Sequence, residues 1–70
     1  MTLYKFLEAF SLDTKVKLYN ASWVVIYEGP IKRMPAEYIL ESYYVIKSRI
    51  DEYSTLEVAI ELRGNVKNDN

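Results

Sequence analysis

The segment Leu56–Arg63 constrains the fold more than any other in this chain. Leu56, Val58, Ile60 and Leu62 alternate with Glu57, Ala59, Glu61 and Arg63. Alternation of apolar and polar residues at a period of two is the signature of a strand with one buried face and one open face. A chain built around such a strand must supply a sheet and a single apolar layer to cover one side of it.

Three further segments read as strands. Thr14–Tyr19 and Trp23–Glu28 flank Asn20-Ala21-Ser22, a turn-prone tripeptide, and predict a first hairpin. With that turn, Leu18 is expected opposite Val24 and Val16 opposite Ile26. Tyr43–Ile50 and Leu56–Arg63 predict a second hairpin around the polar loop Asp51–Thr55. Setting Ile50 opposite Leu56 places Ile46 opposite Ile60 and Tyr44 opposite Leu62. On the other side it places Arg49 opposite Glu57, a favourable cross-strand pair.

Each hairpin is preceded by helix signals. Thr2 has the side chain of an N-cap, and Leu3, Phe6, Leu7 and Phe10 follow at helical spacing, so a short helix is expected to end near Ser11. Pro35 suits the first turn of a second helix running to about Ser42, with Ile39 and Leu40 turned inward. Gly29-Pro30 reads as a break, and Ile31–Met34 as irregular or a brief strand extension. The expected fold is α+β in α-β-β-α-β-β order: a four-stranded, mostly antiparallel sheet with two short helices on one face. Residues 1–63 are expected to form one domain, and the polar residues 64–70 a disordered tail. The predicted core is Val16, Leu18, Val24, Ile26, Ile46, Ile50, Val58, Ile60 and Leu62, packed against Phe6, Leu7, Phe10 and Ile39.

That core uses one side of the sheet. The expected second side carries Lys15, Lys17, Tyr19, Trp23, Val25 and Tyr27 from the first hairpin. From the second hairpin it carries Val45, Lys47, Arg49, Glu57, Ala59 and Glu61. An apolar, aromatic half therefore meets a charged half. Such a face is covered by the chain itself, for example by Ile31–Met34 or the tail, or it touches another molecule.

Composition narrows the chemistry. The 70 residues contain no histidine and no cysteine. The commonest general base, the commonest metal ligand and every disulfide are thereby missing. The serines have no imidazole to activate them. Glu57 and Glu61 lie on one face of a strand about 13 Å apart, too far to act together. Two glycines build no phosphate loop. No catalytic residue, cofactor or metal is expected. The net charge of −1 is not the basic excess of a nucleic-acid binder. The first residues mix charges into an apolar run, unlike a signal peptide, and no stretch has the about 20 apolar residues of a membrane span. A cytoplasmic protein is expected.

Tyr19, Trp23, Val25, Tyr27, Lys15, Lys17, Lys47 and Arg49 form the candidate interface. Aromatic and arginine side chains are enriched at protein interfaces and dominate their energetics. The expected partner is therefore a protein, either a second copy in a homodimer or a foreign one. Single-stranded nucleic acid, stacked on the same rings, is the alternative; Glu57, Glu61 and the acidic balance argue against it.

The strings Met-Thr-Leu-Tyr-Lys-Phe-Leu (1–7), Asp13-Thr14-Lys15-Val16 and Trp23-Val24-Val25-Ile26-Tyr27-Glu28-Gly29 resemble short uncharacterised proteins of Gram-positive bacteria and their prophages. The resemblance covers mainly the first half of the chain. It implies a phage- or mobile-element-associated protein acting by binding and inhibiting a bacterial host protein, as anti-CRISPR and other anti-defence inhibitors do. It implies no catalytic residues.

Overall fold

In a computed structural model, the chain forms the α+β domain expected, and residues 1–40 and 42–63 are described. The elements are α1 (Leu3–Leu7), β1 (Lys15–Tyr19), β2 (Val25–Pro30), a 3-10 turn (Ile31–Arg33), α2 (Ala36–Leu40), β3 (Tyr43–Ile50) and β4 (Leu56–Leu62). The four strands make one sheet in the order β2-β1-β4-β3. Both hairpins are antiparallel, and β1 and β4 join them as a parallel central pair. The tail expected over 64–70 lies outside the described residues. Among the described residues, no helix is long and apolar enough to cross a membrane.

Thr2 caps α1 as its hydroxyl predicts, accepting from the Lys5 N–H at 3.2 Å. Leu3 and Leu7 are buried, and Phe6 and Phe10 pack beside them with ring centroids 5.4 Å apart. The core joins these to Val16 and Leu18 of β1 and to Leu56, Val58 and Ile60 of β4. The two central strands hold most of the fully buried side chains, because each has a neighbour on both edges and a helix layer above.

The 3-10 turn contributes Ile31 and the residue that caps it, Met34, both buried. It is tied to the α1–β1 connection by N–H donation from Ile31 to the Thr14 carbonyl at 3.0 Å and from Lys32 to the Leu12 carbonyl at 2.9 Å. This segment closes the core on the helix side. It does not cover the second sheet face.

Both hairpins are built on the same loop. Asn20 donates its N–H to the Val24 carbonyl at 2.9 Å, and Asp51 donates its N–H to the Thr55 carbonyl at 3.0 Å. The Asn20 side-chain oxygen accepts from the Ser22 and Val24 N–H groups at 2.8 and 3.1 Å. The Asp51 carboxylate accepts from the Tyr53 and Thr55 N–H groups at 2.8 and 2.9 Å. In each loop the residue before the closing one is left-handed, Trp23 and Ser54, both at φ 64°. This is a three-residue hairpin connection whose last residue adopts αL.

The first loop thus contains Trp23 and closes at Val24, so the expected register of β1 and β2 moves. A bulge at Ile26 moves it again: Tyr19 pairs with Val25, but Leu18 pairs with Tyr27 and Val16 with Gly29. The total displacement is odd, and an odd displacement turns a side chain to the other face. Tyr27 consequently lies on the core side, with its hydroxyl donating to the Pro30 carbonyl at 2.7 Å. Val24, expected in the core, is exposed in the loop connection. Gly29 and Pro30 do not end the strand; they finish it on a sheet edge, where proline is tolerated.

The second hairpin keeps its expected register from Ile50–Leu56 to Lys47–Ala59, including Arg49 opposite Glu57. A bulge at Ile46 then shifts it, so that Val45 faces Ile60 and Tyr44 faces Glu61. Val45 joins the core and Tyr44 the open side, the reverse of the alternation expected. Ile46, Ile50 and Leu62, also expected in the core, are exposed.

Candidate functional site

The side of the sheet away from the helices is open, and the first hairpin loop shapes it. The Asn20 side chain holds Trp23 in a left-handed backbone that bulky residues rarely adopt. The indole stands against Tyr19 at 5.9 Å between ring centroids, tilted by 56°. Trp23 nevertheless remains 59% exposed. The packing is one-sided, so the ridge is supported from below and bare above.

Beside this ridge lies a groove of about 340 Å³ lined by Tyr19, Trp23, Lys47, Ser48, Arg49, Glu57 and Ala59. Ala59 is its floor. Its neighbours across the ladder are Tyr19 of β1 and Lys47 of β3, and these larger side chains close over it, leaving it 2% exposed.

The far wall is charged. Arg49 Nε donates to Glu57 Oε1 at 2.7 Å, and this hydrogen bond and the Glu57 charge hold the guanidinium above its ordinary pKa. Lys15 lies 3.8 Å from Glu28. Lys17 sits between Glu28 and Glu57 as its cross-strand neighbours. Further along the same face, Arg63 pairs with Glu61 and lies 5.1 Å from the Tyr44 ring centroid. Among the described residues Lys47 has no ion-pair partner.

Of the eight interface candidates, Tyr19, Trp23, Lys47 and Arg49 come together around the groove. Val25 flanks it, exposed opposite Tyr19. Lys15 and Lys17 extend the face along β1. Tyr27 is separated from all of them by the sheet, for the register reason given above. Sequence reasoning left Ser48 out of the site, because strict alternation puts it on the covered side. It also missed Tyr44, which the bulge brings onto the open side.

The helix side has an apolar recess of its own, about 960 Å³, lined in part by Tyr4, Phe10, Leu12, Met34 and Ile39. Leu12 and Tyr4 are its exposed rim; neither was singled out from the sequence.

The chain matches no family model, no curated protein and no solved structure.

Proposed function

We propose that this chain is a non-enzymatic protein-binding module whose working surface is the open face around Tyr19, Trp23, Lys47 and Arg49. The observation that carries the reading is Trp23. A tryptophan in a left-handed backbone costs about 1–2 kcal/mol, and here most of its ring faces outward. An aromatic anchor presented on a stiff loop beside a groove is the arrangement that dominates binding energy at protein interfaces.

The charges favour protein over nucleic acid. Lys15 and Arg49 are paired with Glu28 and Glu57, and Glu57 itself lines the groove. A phosphate backbone would meet nearly balanced charge, and release of counterions, its main source of affinity, would be small. Mixed charge around an apolar centre fits the rim of a protein interface. The resemblance of residues 1–7, 13–16 and 23–29 to short Gram-positive and prophage proteins supports a mobile-element origin. It also supports inhibition of a host protein by occupation as the outcome of binding. Self-association is the other use of the same face.

The test is a Tyr19→Lys and Trp23→Glu double variant. It should stay folded by circular dichroism, because both rings lie outside the core. It should lose a host protein captured by the wild type, or lose the wild-type dimer in sedimentation. A folded variant that keeps both its mass in solution and its captured partner overturns the reading.

A further inference from the structure

The sheet has two edges, and they are treated differently. The β2 edge is blunted by a bulge, Gly29 and Pro30, and the Tyr38 hydroxyl donates to its Ile26 carbonyl at 3.5 Å. The first half of the β3 edge is occupied: the Val45 N–H donates to the Met1 carbonyl at 3.0 Å, and Thr2 bridges Tyr44. The second half, Lys47–Ile50, has no such cover. Asp51 turns its N–H inward to Thr55, so alternation along the antiparallel ladder turns the N–H and C=O of Ile50 and Ser48 outward. Among the described residues, no backbone hydrogen bond outside the ladder reaches either residue.

The side chains along this open segment are of two kinds. Ile46 and Ile50 are 47% and 62% exposed. Lys47 and Arg49 stand on the open side, opposite Ala59 and Glu57. A second copy of the strand is a poor occupant. Antiparallel self-pairing centred on Ser48 sets Lys47 against Arg49, and pairing centred on Arg49 sets Arg49 against itself. Pairing centred on Ile50 sets Arg49 against Asp51, but β3 ends at Ile50 and the Asp51 carboxylate is held by the Tyr53 and Thr55 N–H groups of the loop, so no ladder extends there. Like charges directly opposite one another destabilise a sheet.

We infer that the Lys47–Ile50 edge is a docking site for an extended peptide strand that alternates apolar and acidic residues. Main-chain hydrogen bonds to Ser48 and Ile50 supply the pairing. A carboxylate opposite Lys47, which has no ion-pair partner among the described residues, supplies the selection. A second shares the Arg49 guanidinium with Glu57, and apolar residues cover Ile50 on the other side. Strand addition of this kind takes its affinity from the backbone and its specificity from alternate side chains. The site adjoins the groove and shares Lys47, Ser48 and Arg49 with it, but an added strand pairs along the outer edge of β3, away from Tyr19 and Trp23.

The test is a titration of the full chain with a capped Val-Glu-Val-Glu-Val peptide, followed through the backbone amide resonances. Saturable shifts centred on Ile46–Ile50 are expected. Peptide N-methylated at alternate amides should not bind, and Val-Lys-Val-Lys-Val should bind about tenfold more weakly. Ser48→Pro should fold, since proline is tolerated where an edge N–H faces solvent, and should no longer bind. The proposal is overturned if there is no saturable shift, if the N-methylated peptide binds equally well, or if the shifts centre on Tyr19 and Trp23. An unfolded Ser48→Pro overturns the outward placement of that N–H. A wild-type dimer that Ser48→Pro dissociates makes the occupant a second copy.

Discussion

Trp23 and Ser54 occupy equivalent positions in two loops of the same construction, each three residues after an Asn or Asp whose side chain accepts two backbone N–H groups, and each at φ 64°. One position holds a small polar residue and the other the largest side chain in the chain. The backbone requirement is shared, so the tryptophan is not there for the turn.

This equivalence predicts different outcomes for the same substitution. Ser54→Gly removes a left-handed penalty of about 1–2 kcal/mol and adds a glycine entropy cost of about 0.5–1 kcal/mol. A net gain of about 0.5–1 kcal/mol is expected, read as a rise in melting temperature of a few degrees. Trp23→Gly gives up the Tyr19 contact as well, worth about 0.5–1.5 kcal/mol, and should leave stability nearly unchanged while abolishing partner binding. Thermal melts of both variants, with binding measured on the second, check the pair.

Ile60 and Ile46 test the bulge in β3. Ile60 is 1% exposed at the centre of β4, and Ile60→Ala should cost about 2–5 kcal/mol, a large share of the about 5–15 kcal/mol available to a domain. Ile46→Ala, at the exposed bulge, should cost under about 1 kcal/mol. Urea denaturation of each variant gives the comparison. Equal losses at the two sites would restore the regular register and remove the bulge.

The Asp51 carboxylate carries a pH dependence. N–H donation from Thr55, then from Tyr53, with the nearby Arg49 and Lys17 charges, holds its pKa below the ordinary value of 3.8 against the opposing effect of burial. A folded pKa below the unfolded one contributes stability that is present above the ordinary value and is lost as pH falls through the folded one. Wild type should therefore exceed Asp51→Ala in melting temperature at neutral pH, and the gap should narrow once the pH falls below the ordinary value. A gap independent of pH would assign the loop's stability to its backbone alone.

Much of the architecture is legible in the order of amino acids because it rests on local signals. The Thr2 cap and the buried Leu3 and Leu7 are found as expected, and the alternation of β4 holds for Leu56, Val58 and Ile60 but fails at Leu62, which is exposed. The loop Asp51–Thr55 is legible because it is polar apart from Tyr53. Its twin is not, because Trp23 looks like the start of a strand and carries no glycine to mark the left-handed position. The bulges at Ile26 and Ile46 are invisible for a similar reason: each inserts a strand-forming isoleucine into a strand-forming run. Those two residues decide on which side Tyr27, Tyr44 and Val45 emerge. Ile31 and Met34 carry no periodicity, so their burial depends on a 3-10 turn whose anchors, Leu12 and Thr14, are backbone carbonyls. The groove was partly legible, since Tyr19, Lys47 and Arg49 lie in regular stretches of ladder.

The parallel pairing of β1 with β4 has a kinetic consequence. Each hairpin closes locally, on the order of microseconds, but two-stranded hairpins are only marginally stable alone. The step that commits the chain brings Val16 to Leu56 and Leu18 to Val58, after the loop entropy of everything between them has been lost. Until then the first hairpin displays the apolar edge of β1 with nothing beside it. During synthesis that edge waits for residues 56–62 to leave the ribosome, and at high concentration a β4 from another chain can reach it first. Strand exchange through β1 and β4 is thus the misassembly this topology invites, and expression yield should respond to chain concentration more steeply than equilibrium stability alone would dictate.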